Sequence, residues 1–298
     1  MRIIRYKKNE TALQLAVVNK ESFVFDLPYP DFMSFVYEAE KQGKTALVLA
    51  QEFTANEPVE RYENMILTTP LDAPEVWASG VTYEKSRDAR NYEATEGKLD
   101  ATTFYDKVYD AERPEIFFKS TAARTVGPGQ DVYLRSDSNW QIPEPELGLV
   151  VNHEGKILGY IAGNDMSCRD IEGENPLYLP QAKIWKNSCS IGPAILLADA
   201  VDDPYELTIT CRIFRNDEKV FDRMAAVNQL KRKLDELVSY LVLDNEIFDG
   251  TVLLTGTCVV PPNEFTLSDG DTIEIEISGI GILKNSVKQQ VKKETVSF

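Results

Sequence analysis

Two glutamates spaced two residues apart are the first residues whose pattern suggests chemistry. Glu144 and Glu146 stand in the segment PEPELGLVV, whose apolar, β-branched end is typical of a strand. Side chains alternate between faces along a strand, so both carboxylates point to one side, and Leu147 and Leu149 to the other. Neighbouring like charges repel each other unless a cation neutralises them. The pair therefore suggests a cation site, although a solvated strand face produces the same pattern.

A hairpin is predicted to bring a third carboxylate to this pair. NHEG separates two strand-like runs and is typical of a turn around residues 152–155. Antiparallel pairing about this turn places Asp165 beside residues 142–143, within a residue or two of Glu144. Three anionic oxygen donors without a neighbouring histidine or thiolate suit a hard cation: Mg²⁺, Mn²⁺ or Ca²⁺. We therefore predict that Glu144, Glu146 and Asp165 hold a divalent metal.

The composition narrows the chemistry and disfavours several partners. The chain has 298 residues, of which 43% are apolar and 27% charged, as in an ordinary globular protein. Its 32 basic and 48 acidic residues give a net charge of −16, which disfavours nucleic acids and membranes as partners. The single histidine, His153, makes a histidine-based triad improbable. An enzyme with this sequence would depend on carboxylates, lysines, hydroxyls and an oxygen-bound cation.

The cysteines and the apolar runs bear on where the protein works. No apolar run approaches the roughly 20 residues of a membrane span, and the first residues lack the pattern of a secretory signal. The cysteines are widely spaced and form no CxxC motif, so a zinc site is disfavoured and reduced thiols in the cytoplasm are expected. They are Cys168, Cys189, Cys211 and Cys258.

The elements that must position the carboxylates fall into two predicted domains. Residues 1–70 read as a small α+β domain with three short strands and a helix in PDFMSFVYEAEKQG, which ends near Gly43. Residues 71–298 carry short strand-like runs such as EIFFKS, LTITCRIFR and DTIEIEIS. One further helix is predicted from leucines at helical spacing between Leu230 and Leu241. The predicted class is α+β, mostly antiparallel β.

Several blocks of the chain together resemble the fumarylacetoacetate hydrolase family. They are PEPELGLVV, GYIAGNDMSCRD, IGPAILLAD, TGTCVVPP and LSDGDTIEIEISGIGILKNSV, in the order typical of that family. The resemblance implies a mixed β-roll catalytic domain and a divalent cation on Glu144, Glu146 and Asp165. It further implies that the cation grips a 2-oxo acid through its carboxylate and keto oxygens.

One segment departs from the hydrolases of this family. Where they have G-x-N-Y-x-x-H, with a histidine that activates water, this chain has GVTYEKS. Thr82 replaces the asparagine and Ser86 replaces the histidine, so the base that activates water is missing. Hydrolysis of a C–C bond is therefore in doubt.

The whole chain is more similar to a branch of the family that dehydrates 2-keto-3-deoxy sugar acids. This resemblance implies conversion of 2-keto-3-deoxy-D-arabinonate (the same compound as 2-keto-3-deoxy-D-xylonate) to 2,5-dioxopentanoate. It makes Glu115 in RPEIFFK and Lys183 in LPQAK the acid/base pair, and which of them takes the proton from carbon 3 stays open. The expected substrate contacts are Thr257, Tyr83, Ser86 and Arg87.

Other interpretations remain beside this one. A surface ion pair between Glu115 and Lys119 would explain the same strand residues without catalysis. A hydrolase or decarboxylase of acylpyruvates or oxaloacetate would bind its substrate through the same metal ion. A non-catalytic acidic oligomer could bind a cation for structure alone. By resemblance, a homodimer or homotetramer is expected.

Overall fold

The computed structural model describes residues 1–95 and 104–290. Strands predominate, as the sequence predicts, and several helices cover or connect them. The strands are β1 (Arg2–Lys7), β2 (Leu13–Val18), β3 (Phe23–Asp26), β4 (Glu60–Arg61), β5 (Leu67–Thr68), β6 (Glu75–Gly80), β7 (Glu115–Thr121), β8 (Thr125–Val126), β9 (Asp131–Leu134), β10 (Gln141–Ile142), β11 (Pro145–Val151), β12 (Ile157–Asp165), β13 (Ser167–Cys168), β14 (Cys189–Leu197), β15 (Thr208–Arg215), β16 (Glu218–Ala226), β17 (Thr251–Thr257), β18 (Thr272–Ile277) and β19 (Gly281–Gln289). The α-helices are α1 (Phe32–Lys41), α2 (Ala46–Phe53), α3 (Glu84–Thr95), α4 (Phe104–Asp110), α5 (Arg169–Glu174), α6 (Leu179–Lys183) and α7 (Leu234–Val242).

Two sheets form the body of the fold. The larger follows the order β4-β3-β2-β1-β14-β12-β11-β17-β6-β7, with β5 beside β1 and β8 beside β14. The second follows the order β16-β15-β18-β19-β9. Most neighbouring strands are antiparallel, whereas β17–β6, β14–β8 and β19–β9 pair in parallel. The central strands of the larger sheet are the ones that carry the carboxylates.

Strand β11 is buried on both faces. Leu147 and Leu149 pack into a core that includes Ile209 and Ile275 of the second sheet. Val150 packs into a separate core with Phe35 of α1 and other apolar residues of the N-terminal region. Burial of a leucine-sized side chain contributes about 1.5–3 kcal/mol, so these contacts hold the strand firmly in place.

The N-terminal strands and the first helix agree with the sequence prediction. The side chain of Asp31 accepts the Ser34 amide at 2.7 Å and caps the start of α1. At its end, Gly43 has a φ of +66°, and the amides of Gly43 and Lys44 return to the carbonyls of Glu40 and Ala39. The second helix, α2, was not predicted.

The N-terminal strands continue directly into the catalytic sheet. Strand β1 pairs with β14, with Arg2 opposite Leu196 and Ile3 opposite Ile195. The predicted division at residue 70 therefore crosses a shared sheet, and whether the two parts fold separately stays a prediction.

The predicted hairpin forms, but the predicted register is wrong by about two residues. Pro145 is opposite Asn164, and the Asp165 amide donates to the Glu144 carbonyl at 3.0 Å. One residue of the shift is present at the turn, where Val151 pairs with Ile157, and the other comes from a bulge between Val150 and Val151. The shift places Asp165 directly beside Glu144, closer than the sequence argument required.

Candidate metal and catalytic site

The open end of the β11–β12 hairpin brings three carboxylates together. Glu144 directly precedes β11, Glu146 is the second residue of that strand, and Asp165 ends β12. One carboxylate oxygen from each lies within 4.8 Å of the others, and the residues are only 4%, 2% and 1% exposed. Three enclosed oxygen donors at this spacing fit a hard divalent cation. Among the described residues, no other group of three potential ligands is this close.

Burial makes the charged forms of the two glutamates unfavourable. Burial raises the pKa of Glu144 to about 7, with Lys183 opposing this shift and Asp165 adding to it. Burial also raises the pKa of Glu146 well above its usual value, and the charges of Asp165 and Glu144 add to this effect. A bound metal favours the charged forms and would reverse both shifts. The cluster therefore has the electrostatics of a cation site.

The backbone of β17 orients Glu146. The amide of Gly256 donates to Oε2 of Glu146 at 2.6 Å. Gly256 has a φ of +96°, and a Cβ there would lie 1.9 Å from Oγ1 of Thr82. Thr82 is fixed in turn because its hydroxyl donates to the Thr255 carbonyl at 2.7 Å. Glycine is therefore needed at this position for the carboxylate to be held.

Lys183 enters the site from the end of α6. It is fully buried, and its ammonium contacts Oε2 of Glu144 and lies 3.5 Å from Oδ2 of Asp165. Burial lowers the pKa of Lys183, but the charges of Asp165, Glu144 and Glu172 outweigh burial and hold it above the usual value. The lysine therefore carries a proton that it can donate.

Glu115 lies beside the site, at the start of β7. It pairs with Gly80 of β6, and a Cβ at Gly80 would lie 1.8 Å from Oε2 of Glu115. The residue as a whole is partly exposed, whereas Oε2 is enclosed and lacks a hydrogen-bond partner among the described residues. Burial raises the pKa of this carboxyl, with the charge of Arg90 opposing the shift. A raised pKa suits a group that exchanges protons near neutral pH.

Lys119 is not a surface partner of Glu115, so that alternative is wrong. The pairing of β6 with β7 shifts between Val76 and Trp77, and Lys119 is the extra residue at this bulge. Its side chain is fully buried, and its ammonium lies 2.5 Å from Oδ1 of Asp165. No pattern in the sequence indicates this burial, because a regular strand would not distinguish Lys119 from an exposed residue.

A second layer of buried charges was also missed by the sequence analysis. Arg169 donates to Oε1 of Glu144 at 2.9 Å. Glu172 pairs with Arg90 at 2.5 Å and accepts a hydrogen bond from Ser167 at 2.8 Å. Burial raises the pKa of Glu172, but the cations Arg90, Lys183 and Arg169 outweigh it and lower the pKa to about 2. These contacts hold α3 and α5 against the site.

The three carboxylates and Lys183 line one small cavity. Of the predicted substrate contacts, Ser86 and Thr257 line it. The hydroxyl of Ser86 donates to the Tyr83 carbonyl at 2.8 Å and accepts the Tyr83 amide at 3.3 Å, which caps the start of α3. The lining residues are Ser79, Gly80, Val81, Ser86, Arg90, Phe117, Glu144, Glu146, Asp165, Lys183 and Thr257.

Tyr83 and Arg87 lie elsewhere. Tyr83 packs in the core between the two sheets, where burial raises the pKa of its phenol well above the usual value. Arg87 points away from the carboxylates and pairs with Glu84 and Asp88. Arg90, one helical turn further along α3, occupies the position at the cavity that was predicted for Arg87. The geometry does not favour a substrate contact for Tyr83 or Arg87.

Comparison with known proteins assigns this site to a family. Residues 86–288 match the model described as the fumarylacetoacetate (FAA) hydrolase C-terminal domain. The chain belongs to the fumarylacetoacetate hydrolase family. The family resemblance and the α+β fold expected from the sequence are thereby confirmed.

Similar family members include two proteins named as sugar-acid dehydratases. The chain is 49% identical over 226 residues to 2-dehydro-3-deoxy-D-arabinonate dehydratase of Saccharolobus solfataricus, with 76% of each chain covered. It is 46% identical over 241 residues to a probable 2-keto-3-deoxyxylonate dehydratase of Haloferax volcanii, covering 80% of this chain and 81% of that relative.

A solved structure of the family is similar over nearly the whole chain. It is described as 2-keto-3-deoxy-D-arabinonate dehydratase complexed with magnesium and 2,5-dioxopentanoate. The TM-score is 0.83 at 38% identity, with 98% of this chain and 100% of that chain covered.

The segment that departs from the hydrolases of the family has a structural role here. Thr82 holds the Thr255 carbonyl and Ser86 caps α3. His153 lies in the hairpin turn, at the opposite end of β11 from Glu144 and Glu146, and pairs with Asp249 on the surface. No histidine therefore stands where a water-activating base would be required.

Proposed function

We propose that this protein is a divalent-metal-dependent hydro-lyase that converts 2-keto-3-deoxy-D-arabinonate to 2,5-dioxopentanoate. The observation that carries the proposal is the convergence of three buried carboxylates and Lys183 on one small cavity, with Glu115 packed against Gly80 of its lining. The names of the similar family members point to the same reaction.

The site residues would have separate roles in the proposed reaction. Glu144, Glu146 and Asp165 would hold Mg²⁺, or Mn²⁺ or Ca²⁺, which as a Lewis acid favours negative charge on the keto oxygen of the substrate. Lys183 gives its proton to the hydroxyl that leaves carbon 4 as water. Glu115 is the proton-transfer partner: it takes a proton from carbon 3 and returns it there while the neutral Lys183 takes one from carbon 5, and the enol that results rearranges to the aldehyde.

The cavity supplies contacts for the rest of the substrate. Thr257 and Ser86 place hydroxyl groups at the lining, and Arg90 brings a cation that Glu172 holds in place. Phe117 forms an apolar wall beside the Lys183 ammonium, at 5.9 Å from the ring centre. Enclosure of this kind excludes water and strengthens electrostatic interactions inside the site.

The proposal is tested with purified protein, magnesium and a panel of 2-oxo acids. We expect 2-keto-3-deoxy-D-arabinonate to give a product lighter by one water that reacts as an aldehyde, and a chelator to stop the reaction. Glu115→Gln should lose activity, whereas Glu84→Gln, an exposed change on α3, should retain it. Turnover of acylpyruvates or oxaloacetate in place of the sugar acid would instead favour a hydrolase or decarboxylase.

Assembly and location are further parts of the proposal. We expect a homodimer or homotetramer, which light scattering would measure, and a cytoplasmic enzyme. All four cysteines are free and buried, which suits a reducing compartment. The helices within residues 1–95 and 104–290 are each too short or too polar to traverse a bilayer.

A further inference from the structure

Lys119 is a fully buried cation that the proposed reaction does not use. It contributes nothing to the cavity lining, because it lies behind the carboxylates and beside the Trp185 ring, 5.3 Å from the ring centre. Burial of an unpaired ammonium costs several kcal/mol, so such a residue needs compensating contacts. The bulge in β7 is the local device that turns this side chain inward.

The contacts of Lys119 join two parts of the site. Its ammonium lies 2.5 Å from Oδ1 of Asp165 as an ion pair and donates to the Met166 carbonyl at 2.9 Å. It also donates to the carbonyl of Lys183, which the Ser188 hydroxyl contacts as well, at 3.0 Å. One side chain thereby fixes the end of β12, where a metal ligand stands, and the end of α6, where the acid/base lysine stands.

We infer that Lys119 is a positioning residue of the metal site, which holds one oxygen of Asp165 and leaves the other for the cation. Oδ2, the oxygen that Lys119 does not hold, is on the side of Lys183, which lines the cavity. Groups that hydrogen-bond or pair with metal ligands typically contribute 10–100-fold to metal affinity. The inference rests on the metal site of the proposed function.

A purely electrostatic role of Lys119 predicts the opposite change in metal affinity when the lysine is removed. A positive charge near a cation site repels the cation, so removal of Lys119 by charge alone would tighten metal binding. A positioning role predicts that removal of Lys119 weakens metal binding, because Asp165 would lose the contact that fixes its orientation. The direction of the change in affinity therefore decides between the two roles.

The test compares matched substitutions at two buried lysines. Lys119→Met and Lys183→Met remove the same group from positions that are both fully buried and both contact Asp165. Calorimetric titration of the full chain with MgCl₂ should show affinity reduced about 10–100-fold in Lys119→Met. Lys183→Met should bind magnesium no more weakly than the parent. Unchanged or tighter binding in Lys119→Met would overturn the inference.

Activity supplies a second readout that a general loss of stability would not produce. In Lys119→Met the magnesium concentration for half-maximal turnover should rise in parallel with the dissociation constant, and saturating magnesium should restore most of kcat. In Lys183→Met no magnesium concentration should restore turnover. A loss of kcat in Lys119→Met that magnesium cannot restore, with unchanged affinity, would contradict positioning.

A second variant, Lys119→Gln, tests the inference if Lys119→Met does not fold. Lys119→Gln keeps a donor for the Met166 and Lys183 carbonyls but lacks the charge that pairs with Asp165. With a circular dichroism spectrum like that of the parent, it should show the same direction of loss in magnesium affinity, and unchanged affinity would overturn the inference. If the parent chain itself binds no magnesium, the metal site of the proposed function fails together with this inference.

Discussion

The two ends of the β11–β12 hairpin carry the same kinds of charged groups in opposite environments. At the turn, His153 pairs with Asp249 at 2.8 Å, and the histidine side chain is 59% exposed. At the open end, Glu144, Glu146 and Asp165 are almost fully buried. Water screens the first pair, so it contributes little, whereas burial makes every charge at the open end interact strongly. The position along one hairpin thus separates a surface contact from a site capable of chemistry.

The two faces of β11 also differ in role, because one contributes to stability and the other carries the chemistry. Leu147 and Leu149 pack between the sheets, while Glu146 faces the cavity. Each leucine contributes to folding, whereas burial makes the charged forms of Glu144 and Glu146 unfavourable. Substitutions along this hairpin should therefore fall into distinct classes.

The largest effect is expected from Glu146→Gln at the open end. Removal of one of three anionic ligands should abolish detectable magnesium binding and turnover. The metal-free protein should lose no stability, since a buried carboxylate with like-charged neighbours disappears. Calorimetric titration and thermal unfolding without metal measure both. Magnesium affinity like that of the parent would remove Glu146 from the ligand set.

Lys183→Met should reduce kcat by about 10²- to 10⁴-fold, the usual contribution of a proton-transfer group. Steady-state kinetics at saturating magnesium measures this effect. Normal turnover in a correctly folded variant would show that another group supplies the proton.

Leu149→Ala tests the apolar face of the same strand. It should reduce the free energy of unfolding by about 2–5 kcal/mol through lost burial and a cavity. At a temperature where the variant stays folded, its magnesium affinity should match that of the parent. Ile66→Ala is the matched control, because Ile66 is 66% exposed and its change should stay within about 0.5 kcal/mol. A large loss of magnesium affinity in Leu149→Ala would show that the two faces are not separable.

His153→Ala at the turn should have the smallest effect, and one that depends on pH. The hydrogen bond to Asp249 and its charge raise the pKa of His153 above the ordinary 6.5. A raised pKa in the folded state adds stability below pH 6.5 that is lost as the pH rises through the raised value. The parent should therefore unfold at a slightly higher temperature than the variant at pH about 5.5, and at the same temperature at pH about 9. A difference that persists at the higher pH would contradict this account.

The residues that the sequence located correctly are those that follow from simple periodicity. Alternation along a strand places Glu144 and Glu146 on one side, and a single turn brings Asp165 near them. The helical spacing of α1 and α7 is equally regular, although α7 begins at Leu234 rather than at Leu230. Such patterns depend on only a few neighbouring residues, so they are visible in the sequence.

The missed features depend on irregular backbone or on contacts between distant segments. Bulges affect the register at Asp165 and turn Lys119 inward, and no pattern in this sequence predicts them. The family resemblance points to Arg87, whereas Arg90 lines the cavity, and helix α3 is too polar for its periodicity to show which side faces the site. The pairing of Arg90 with Glu172 joins two helices through residues that are 82 positions apart along the chain.

A crystal structure with magnesium and a 2-oxo acid tests the central claim most directly. The account predicts one ion at about 2.0–2.1 Å from an oxygen of each of Glu144, Glu146 and Asp165, with the keto oxygen as a further ligand. An ion bound elsewhere, or three carboxylates turned apart with no density between them, would contradict it.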